Sequence, residues 1–414
     1  MPATTPVEIR GNFFYRRDER FLIKGVSYLP CKRGAKPFSR DGMIDPLADD
    51  YLSELKLDTT LLLELGINTI QISYFDTTKR HERALSALAE AGLYVLIQPS
   101  ISVDLPQSAA PRLRRGCDDL DMRTLYTPEV VRTIFRTIEA TVDHSNVLGY
   151  QLSAELINMA SRSKLAECVR SAVRDTKRYL QHRGGRQVPV GVTTSDILEL
   201  RHPQLQYYTA GSSDERIDFF SLNCFSWAGK SSFRVSGWQN MCESMGKTPV
   251  PMFLSEYGTN IVSPRTFHET ECLYSPDMTG EFSGGCVYTW FESGNRYGLV
   301  EVPDTGYRRK RPDYEGLKRR LDVVGQRSRA EVYVAEPKDY EQWRGEMPAQ
   351  TSRWQASADI PEFPGEWENM IRELEEEREW EVVEPGDAED QEDARLRLEE
   401  DQKKLQAEMA GLQL

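Results

Sequence analysis

The sequence lacks any uninterrupted apolar run near the roughly 20 residues that a membrane-spanning helix needs. Its two ends also lack targeting features: residues 1–8 do not join a basic start to an apolar stretch, and residues 408–414 form no hydrophobic tail. We therefore expect no transmembrane span, and the chain as written predicts a cytoplasmic location.

Paired cysteines are missing as well. Seven cysteines are scattered over 414 residues, with no CxxC pair and no spacing typical of metal ligands. An odd number of scattered cysteines favours free thiols over a disulfide framework or a zinc site. The sequence therefore predicts no metal centre.

An excess of basic residues is absent too. The net charge is −13, and residues 361–414 alone carry 19 acidic against 6 basic side chains. The preceding 360 residues hold 46 of each sign, so the body of the chain is neutral. Because binding to nucleic acid needs a basic face, we expect no nucleic-acid partner.

What the sequence does contain is a regular alternation of short apolar runs with helical patterns. The runs cover residues 21–28, 68–74, 94–98, 149–154, 188–192, 217–223, 251–255 and 284–290. After the first run, leucines at helical spacing over residues 51–65 end at Gly66, a usual position for a helix C-cap. Eight strands that alternate with helices are typical of a parallel barrel rather than a sandwich. We expect an α/β protein with a (β/α)8 TIM barrel.

The composition predicts three parts along the chain. The barrel takes residues 1–322 and ends in a helix around residues 314–321, and the aperiodic residues 323–360 predict a linker. Residues 361–414 predict an acidic tail, partly helical or disordered, with helices near 366–380 and 391–410. A solvated tail without a partner and a tail that binds a protein partner both fit this composition.

Two glutamates stand where predicted strands four and seven end. Glu155 follows the run at 149–154, and Glu256 follows the run at 251–255. In such barrels catalytic groups project from the carboxyl ends of several strands, so the two are candidates for a converging pair. Paired carboxylates cleave glycosidic bonds: the protonated one gives its proton to the leaving oxygen, and the ionised one attacks the sugar carbon. Taken singly, either glutamate also fits a helix cap or an ion pair.

A set of short motifs occurs in a fixed order between residues 8 and 322. They are Lys24–Val26, Asp45–Asp49, Leu65–Ile70, Ala91–Tyr94, Asn146–Tyr150, Ser255–Gly258 and Tyr297–Glu301. In order and spacing they resemble the fungal β-1,3-glucanosyltransferases of glycoside hydrolase family 72. The resemblance implies a barrel enzyme that cuts β-1,3-glucan, holds it as a glycosyl-enzyme and passes it to another chain, without a metal or organic cofactor. Members of that family are typically GPI-anchored at the cell surface.

The resemblance also implies roles for single residues. Glu155 falls on the acid/base and Glu256 on the nucleophile of the family. Tyr288 and Tyr297 fall on aromatic positions of its cleft. The remaining expected contacts to the glucan are Tyr74, Asn223 and Trp227.

Other positions depart from the family. Ala154 stands where the family has an Asn that holds the sugar 2-hydroxyl. Without that hydrogen bond, the transition state loses stabilisation on the order of a few kcal/mol. Further changes replace family Gln, Arg, Tyr, Asp and Tyr by Leu29, Gln71, Ser73, Gln98 and Phe225. Because an Arg and a Tyr near the nucleophile are gone, we expect a raised pKa for Glu256.

The family's disulfide positions are changed as a set. The residues at these positions are Leu55, Ala84, Ala228 and Thr259. The absence of the family's disulfide cysteines favours a reducing compartment. We thus keep three hypotheses: a retaining β-1,3-glucanosyltransferase, a catalytically impaired intracellular paralogue that binds glucan or acts as a scaffold, and a pocket altered for a different sugar.

Overall fold

The computed structural model describes most of the chain, in ranges separated by gaps. These ranges are residues 4–32, 42–99, 125–246, 248–303, 306–328, 332–333, 335–337 and 345–383. By its contacts the chain divides into two compact units, Met1–Gly365 and Glu366–Leu414.

The first unit contains a closed barrel of eight parallel strands, in which each strand pairs with its neighbours in the sequence and the last pairs with the first. The strands are β1 Ile23–Ser27, β2 Thr69–Ile72, β3 Tyr94–Ile97, β4 Val147–Ala154, β5 Val190–Ser195, β6 Phe219–Asn223, β7 Met252–Tyr257 and β8 Phe282–Val287. The predicted (β/α)8 barrel is confirmed, and every strand overlaps its predicted run. The strands read as continuous apolar runs because both of their faces are covered.

Helices follow the strands and pack around them. The described α-helices of the first unit are α1 Leu52–Leu65, α2 Glu82–Glu90, α3 Pro128–Thr141, α4 Ala166–Arg183, α5 Arg201–Thr209, α6 Trp238–Met245, α7 His268–Leu273, α8 Pro276–Thr279 and α9 Pro312–Gly325. Local sequence sets their ends. The Thr127 side chain accepts a hydrogen bond from the Val130 N–H at the start of α3, and Gly66 ends α1 at a φ of 83°.

A three-stranded antiparallel sheet covers the amino-terminal end of the barrel. It consists of Val7–Arg10, Phe13–Arg16 and Glu19–Arg20. The Phe14 ring lies 6.0 Å from that of Phe219 and 6.2 Å from that of Phe253, near the amino-terminal ends of β6 and β7. Because aromatic side chains fill this end, the carboxyl ends of the strands form the open face.

The residues predicted as a linker do not form a free connector where the structure describes them. Helix α9 continues to Gly325, and further on Trp354 is 2% exposed. The Trp354 ring lies 5.3 Å from that of Tyr207 in α5, and the Ser357 N–H donates to Glu167 in α4 at 2.8 Å. The sequence shows no periodicity here because isolated residues, such as Trp354 and Ala356, are buried rather than one face of a helix or strand.

The second unit contains one described helix, α10 Trp367–Val383. It matches the helix predicted near residues 366–380, whereas the one predicted near 391–410 lies outside the described residues. Among the described helices, none is both long and apolar enough to cross a membrane. The six described cysteines are free thiols, as predicted, and Cys117 falls outside the described ranges.

Candidate active site

Both glutamates lie at the carboxyl ends of their strands, on the open face of the barrel. Glu155 comes directly after the last residue of β4, and Glu256 is the next-to-last residue of β7. The strand register sets Glu256 beside Asn223, the last residue of β6. Parallel strands in a barrel present such residues to a common opening, so both acids reach the same mouth.

Glu155 leaves its strand by an unusual backbone turn. Its φ is 50°, in the left-handed region that residues with a Cβ seldom adopt, and its N–H donates to the Thr193 carbonyl at 3.4 Å. Such a conformation costs about 1–3 kcal/mol and occurs often at functional sites. The turn ends the ladder between β4 and β5 and leaves the residue exposed to solvent.

Glu256 is half-buried, and its carboxyl titrates abnormally. Burial raises its pKa, the negative charge of Glu155 raises it further, and together they bring it to about 8. The sequence predicted this direction from lost neighbours, and the structure gives burial as the largest cause. The effect of the Glu155 charge on Glu256 means that the fold brings the two carboxyl groups within interaction range.

A layer of uncharged polar side chains crosses the barrel below the glutamates. Gln151 of β4 donates to Thr193 of β5 at 2.8 Å, to Ser221 of β6 at 3.2 Å and to Gln71 of β2 at 3.4 Å. All four are buried. Gln71 occupies the strand-two position where the family is expected to carry an Arg, so this layer supplies amides and hydroxyls in place of a cation.

Three aromatic rings form one side of the opening, and we call them the aromatic wall: Phe225, Tyr288 and Tyr297. The Tyr288 and Tyr297 ring centres are 5.2 Å apart, and Phe225 lies 6.1 Å and 5.9 Å from them, all edge-on. Each residue is half-buried. Burial and the charge of Glu256 raise the pKa of the Tyr288 hydroxyl, which places Tyr288 beside the acid pair.

The other expected glucan contacts lie in different settings. Asn223 is close to Glu256 in the strand register, and its side-chain oxygen accepts a hydrogen bond from Ser255 at 2.7 Å. Tyr74 lines a cavity of about 380 Å³ on the loops that follow β1 and β2.

Trp227 is 5% exposed, with its indole N–H bonded to the Gly229 carbonyl and its ring 5.1 Å from that of Trp238. A sugar platform needs an exposed ring face. The described structure therefore gives Trp227 a packing role, in place of the sugar platform predicted from the sequence.

Two ion pairs beside the aromatic wall were not predicted from the sequence. Arg265 pairs with Asp313 at 2.6 Å, and Glu292 pairs with Arg311. The partners are far apart in the sequence and belong to no recognisable motif, so only the fold brings them together. Within the described ranges, no three His, Cys, Asp or Glu side chains form a metal-binding group.

The sequence profile of the glucanosyltransferases of glycoside hydrolase family 72 matches residues 1–325. The chain belongs to this family. Among its family 72 relatives is 1,3-beta-glucanosyltransferase gel1 of Aspergillus fumigatus, 36% identical over 76% of this chain and 65% of gel1. Another is 1,3-beta-glucanosyltransferase GAS5 of Saccharomyces cerevisiae, 35% identical over 87% of this chain and 70% of GAS5. This chain thus spans about two thirds of the length of these relatives.

Solved structures of a family 72 protein resemble this one closely. A mutant of Gas2p from Saccharomyces cerevisiae, in complex with laminaritetraose and laminaripentaose, superposes with a TM-score of 0.73. It is 28% identical, over 88% of this chain and 76% of the Gas2p chain. A structure of the same protein in complex with a compound gives a TM-score of 0.74 at 29% identity. The agreement extends beyond the barrel strands to most of the first unit.

Proposed function

We propose that this chain is a retaining β-1,3-glucanosyltransferase. The observation that carries the proposal is the pair of glutamates at the carboxyl ends of β4 and β7, in which the charge of Glu155 raises the pKa of Glu256. Membership of family 72, two relatives named 1,3-beta-glucanosyltransferase and the oligosaccharides bound to Gas2p support the same activity.

In the first step of this reaction, the glucan lies across the mouth of the barrel. Glu155, exposed at the end of β4, donates a proton to the oxygen of the bond that breaks. Glu256 in its ionised form attacks the anomeric carbon and becomes a glycosyl ester, while the part of the glucan beyond the broken bond leaves. Tyr288 and Tyr297 pack against the sugar faces.

In the second step, Glu155 acts as a base. It takes a proton from a hydroxyl group of a second glucan chain, whose oxygen attacks the anomeric carbon, breaks the bond between that carbon and the Glu256 carboxylate, and so releases Glu256. The product is a longer glucan when a sugar is the acceptor and a hydrolysed one when water is. In this proposal Asn223, which pairs with Glu256 in the strand register, bonds a sugar hydroxyl through its amide, and Tyr74 contacts a sugar in the cavity that it lines.

The expected roles of the barrel unit and of the acidic tail belong to the same proposal. We propose a barrel unit that acts on glucan and an acidic tail that binds a protein partner. The comparisons do not support the cytoplasmic location that was expected from the sequence.

The test is incubation of the protein with laminaripentaose at high enzyme concentration, followed by sizing of the products. Longer and shorter products together are expected from the wild type, and neither from Glu155→Gln or Glu256→Gln. The control is Glu139→Gln, which removes a carboxylate from an outer ion pair with Arg183 and should leave the products unchanged.

Other results would favour other functions. Shorter products alone would mean hydrolysis in place of transfer. Unchanged laminaripentaose that still binds in a calorimeter would reject the enzyme and support the catalytically impaired glucan-binding alternative. Neither binding nor turnover would reject β-1,3-glucan as the ligand and point to a different sugar.

A further inference from the structure

A buried guanidinium joins three segments of the cleft. Arg265 lies in the loop after β7 and is 3% exposed. It donates to the backbone carbonyls of Gly258 at 3.0 Å, of Tyr288 at 2.5 Å and of Tyr297. Gly258 follows Glu256 by two residues, and the two tyrosines belong to the aromatic wall. One side chain therefore fixes the backbone of the nucleophile strand relative to the wall.

The first turn of α9 balances the charge of this guanidinium. Asp313 is 5% exposed and accepts from Arg265 Nε at 2.6 Å and from the Arg265 backbone N–H at 3.0 Å. Charge-assisted bonds of this kind are short and directional. Removing one partner would leave the other as an uncompensated buried charge, so each depends on the other for its position.

A second ion pair from the same end of α9 holds the loop of residues 292–298. Arg311, the residue before α9, contacts the Glu292 carboxylate. Glu292 also accepts three backbone N–H groups of its own loop at 2.7–3.0 Å. A carboxylate that gathers several N–H groups fixes a loop in one conformation. Tyr297 lies within this loop, so both ion pairs converge on it.

We propose that the first turn of α9 positions the aromatic wall against the glutamate pair and thereby sets the fit of the sugar. Arg265, Asp313, Glu292 and Arg311 are the positioning residues, and they act through Tyr288 and Tyr297. The carbonyls that Arg265 binds all belong to segments around the cleft, which a purely peripheral ion pair would not require. This inference rests on the proposed glucanosyltransferase function.

The test compares Asp313→Asn and Glu292→Gln with the control Glu139→Gln, in full-length protein that circular dichroism shows to be folded. Two readouts are used: KM and kcat with laminaripentaose, and the ring signals of ¹³C-labelled tyrosines. Signals of Tyr288 and Tyr297 are assigned with Tyr288→Phe and Tyr297→Phe. We expect KM to rise about fivefold to twentyfold in the two variants, with a smaller change in kcat, and both assigned ring signals to shift. The control should change neither.

The two readouts separate this inference from the proposed function. Ring signals and KM that match those of the control would overturn the positioning role, while an active wild type would leave the enzyme function standing. If the wild type is inactive but the ring signals shift in both variants, the positioning stands and the proposed activity fails. Shifted signals with an unchanged KM would overturn the claim about sugar fit. If Asp313→Asn does not fold, the Glu292→Gln variant alone tests the inference, because its change lies in a loop.

Discussion

At the scale of single residues, the proposed reaction depends on the protonation of Glu256. With a pKa of about 8, roughly one tenth of this carboxyl is ionised at pH 7. A retaining enzyme needs the ionised form as its nucleophile. The neutral layer around Gln71 and Gln151 adds no cation to lower the pKa, which separates this chain from the charged surroundings expected in its family.

The pH dependence of activity follows from that ionisation. A carboxyl whose pKa is raised becomes a nucleophile only as the pH approaches that value. For laminaribiosyl fluoride, whose fluoride leaves without a proton from Glu155, we therefore expect kcat/KM to increase with pH up to about 8. Below this pH the ratio should fall about tenfold per unit. Initial rates on laminaribiosyl fluoride between pH 5 and 9 measure it, and a maximum near pH 5 would contradict the assignment of the raised pKa to the nucleophile.

Ala154, next to Glu155, gives a second prediction for a single residue. The family's Asn at this position holds the sugar 2-hydroxyl, so Ala154→Asn should raise kcat/KM about tenfold to a hundredfold. The measurement is the initial rate on laminaripentaose. The same change made in Glu155→Gln should have no effect, and this double variant is the control. No gain in the single variant would show that the pocket no longer receives the sugar as its relatives do.

At the scale of elements, close packing of the strands depends on glycines inside the barrel. A Cβ on Gly149 of β4 would lie 2.7 Å from the Phe219 ring and 3.1 Å from the Pro189 carbonyl, and Gly191 of β5 faces the same ring. These contacts are closer than side-chain atoms tolerate, so either the ring or the strand must move.

Gly149→Ala should therefore lower the free energy of unfolding by about 1–3 kcal/mol. Urea denaturation followed by tryptophan fluorescence provides the measurement. Gly325→Ala, at the end of α9, is the matched control, since an added Cβ there meets no atom within 4 Å. Equal stabilities for the two variants would contradict the described packing of β4 against β6.

Elements and their order were readable from the sequence, and contacts between distant residues were not. Apolar runs and glycine caps located the strands and the first helices because these are local signals. The burial of Trp227 was not predicted because it depends on a partner elsewhere in the chain, Trp238. The ion pair of Arg265 with Asp313 was not predicted for the same reason, since its partners are distant in the sequence.

At the scale of the whole molecule, the barrel has the rings of Phe14, Phe219 and Phe253 at its amino-terminal end and the two glutamates at the carboxyl ends of its strands. Glu155 and Glu256 could be found from the sequence because a barrel fixes where strand ends meet, once eight strands are counted. The value of the Glu256 pKa and the strained φ of Glu155 required coordinates, since both depend on neighbouring strands.

The stability of the molecule should not depend on disulfides. The described cysteines are all free, and four of them are buried. Addition of dithiothreitol should thus leave the melting temperature unchanged within about 1 °C, whereas loss of a structural disulfide typically costs 2–5 kcal/mol. Differential scanning calorimetry with and without the reductant checks this, and a fall of several degrees would contradict the assignment of free thiols.

The most direct test of the central claim is to trap the covalent intermediate. A 2-deoxy-2-fluoro-laminaribiosyl fluoride forms the ester but slows its breakdown, and mass spectrometry of peptides then locates the label. The account predicts one sugar adduct on the peptide that contains Glu256, absent from Glu256→Gln. An adduct on another residue, or no adduct on protein that binds laminaripentaose, would contradict it.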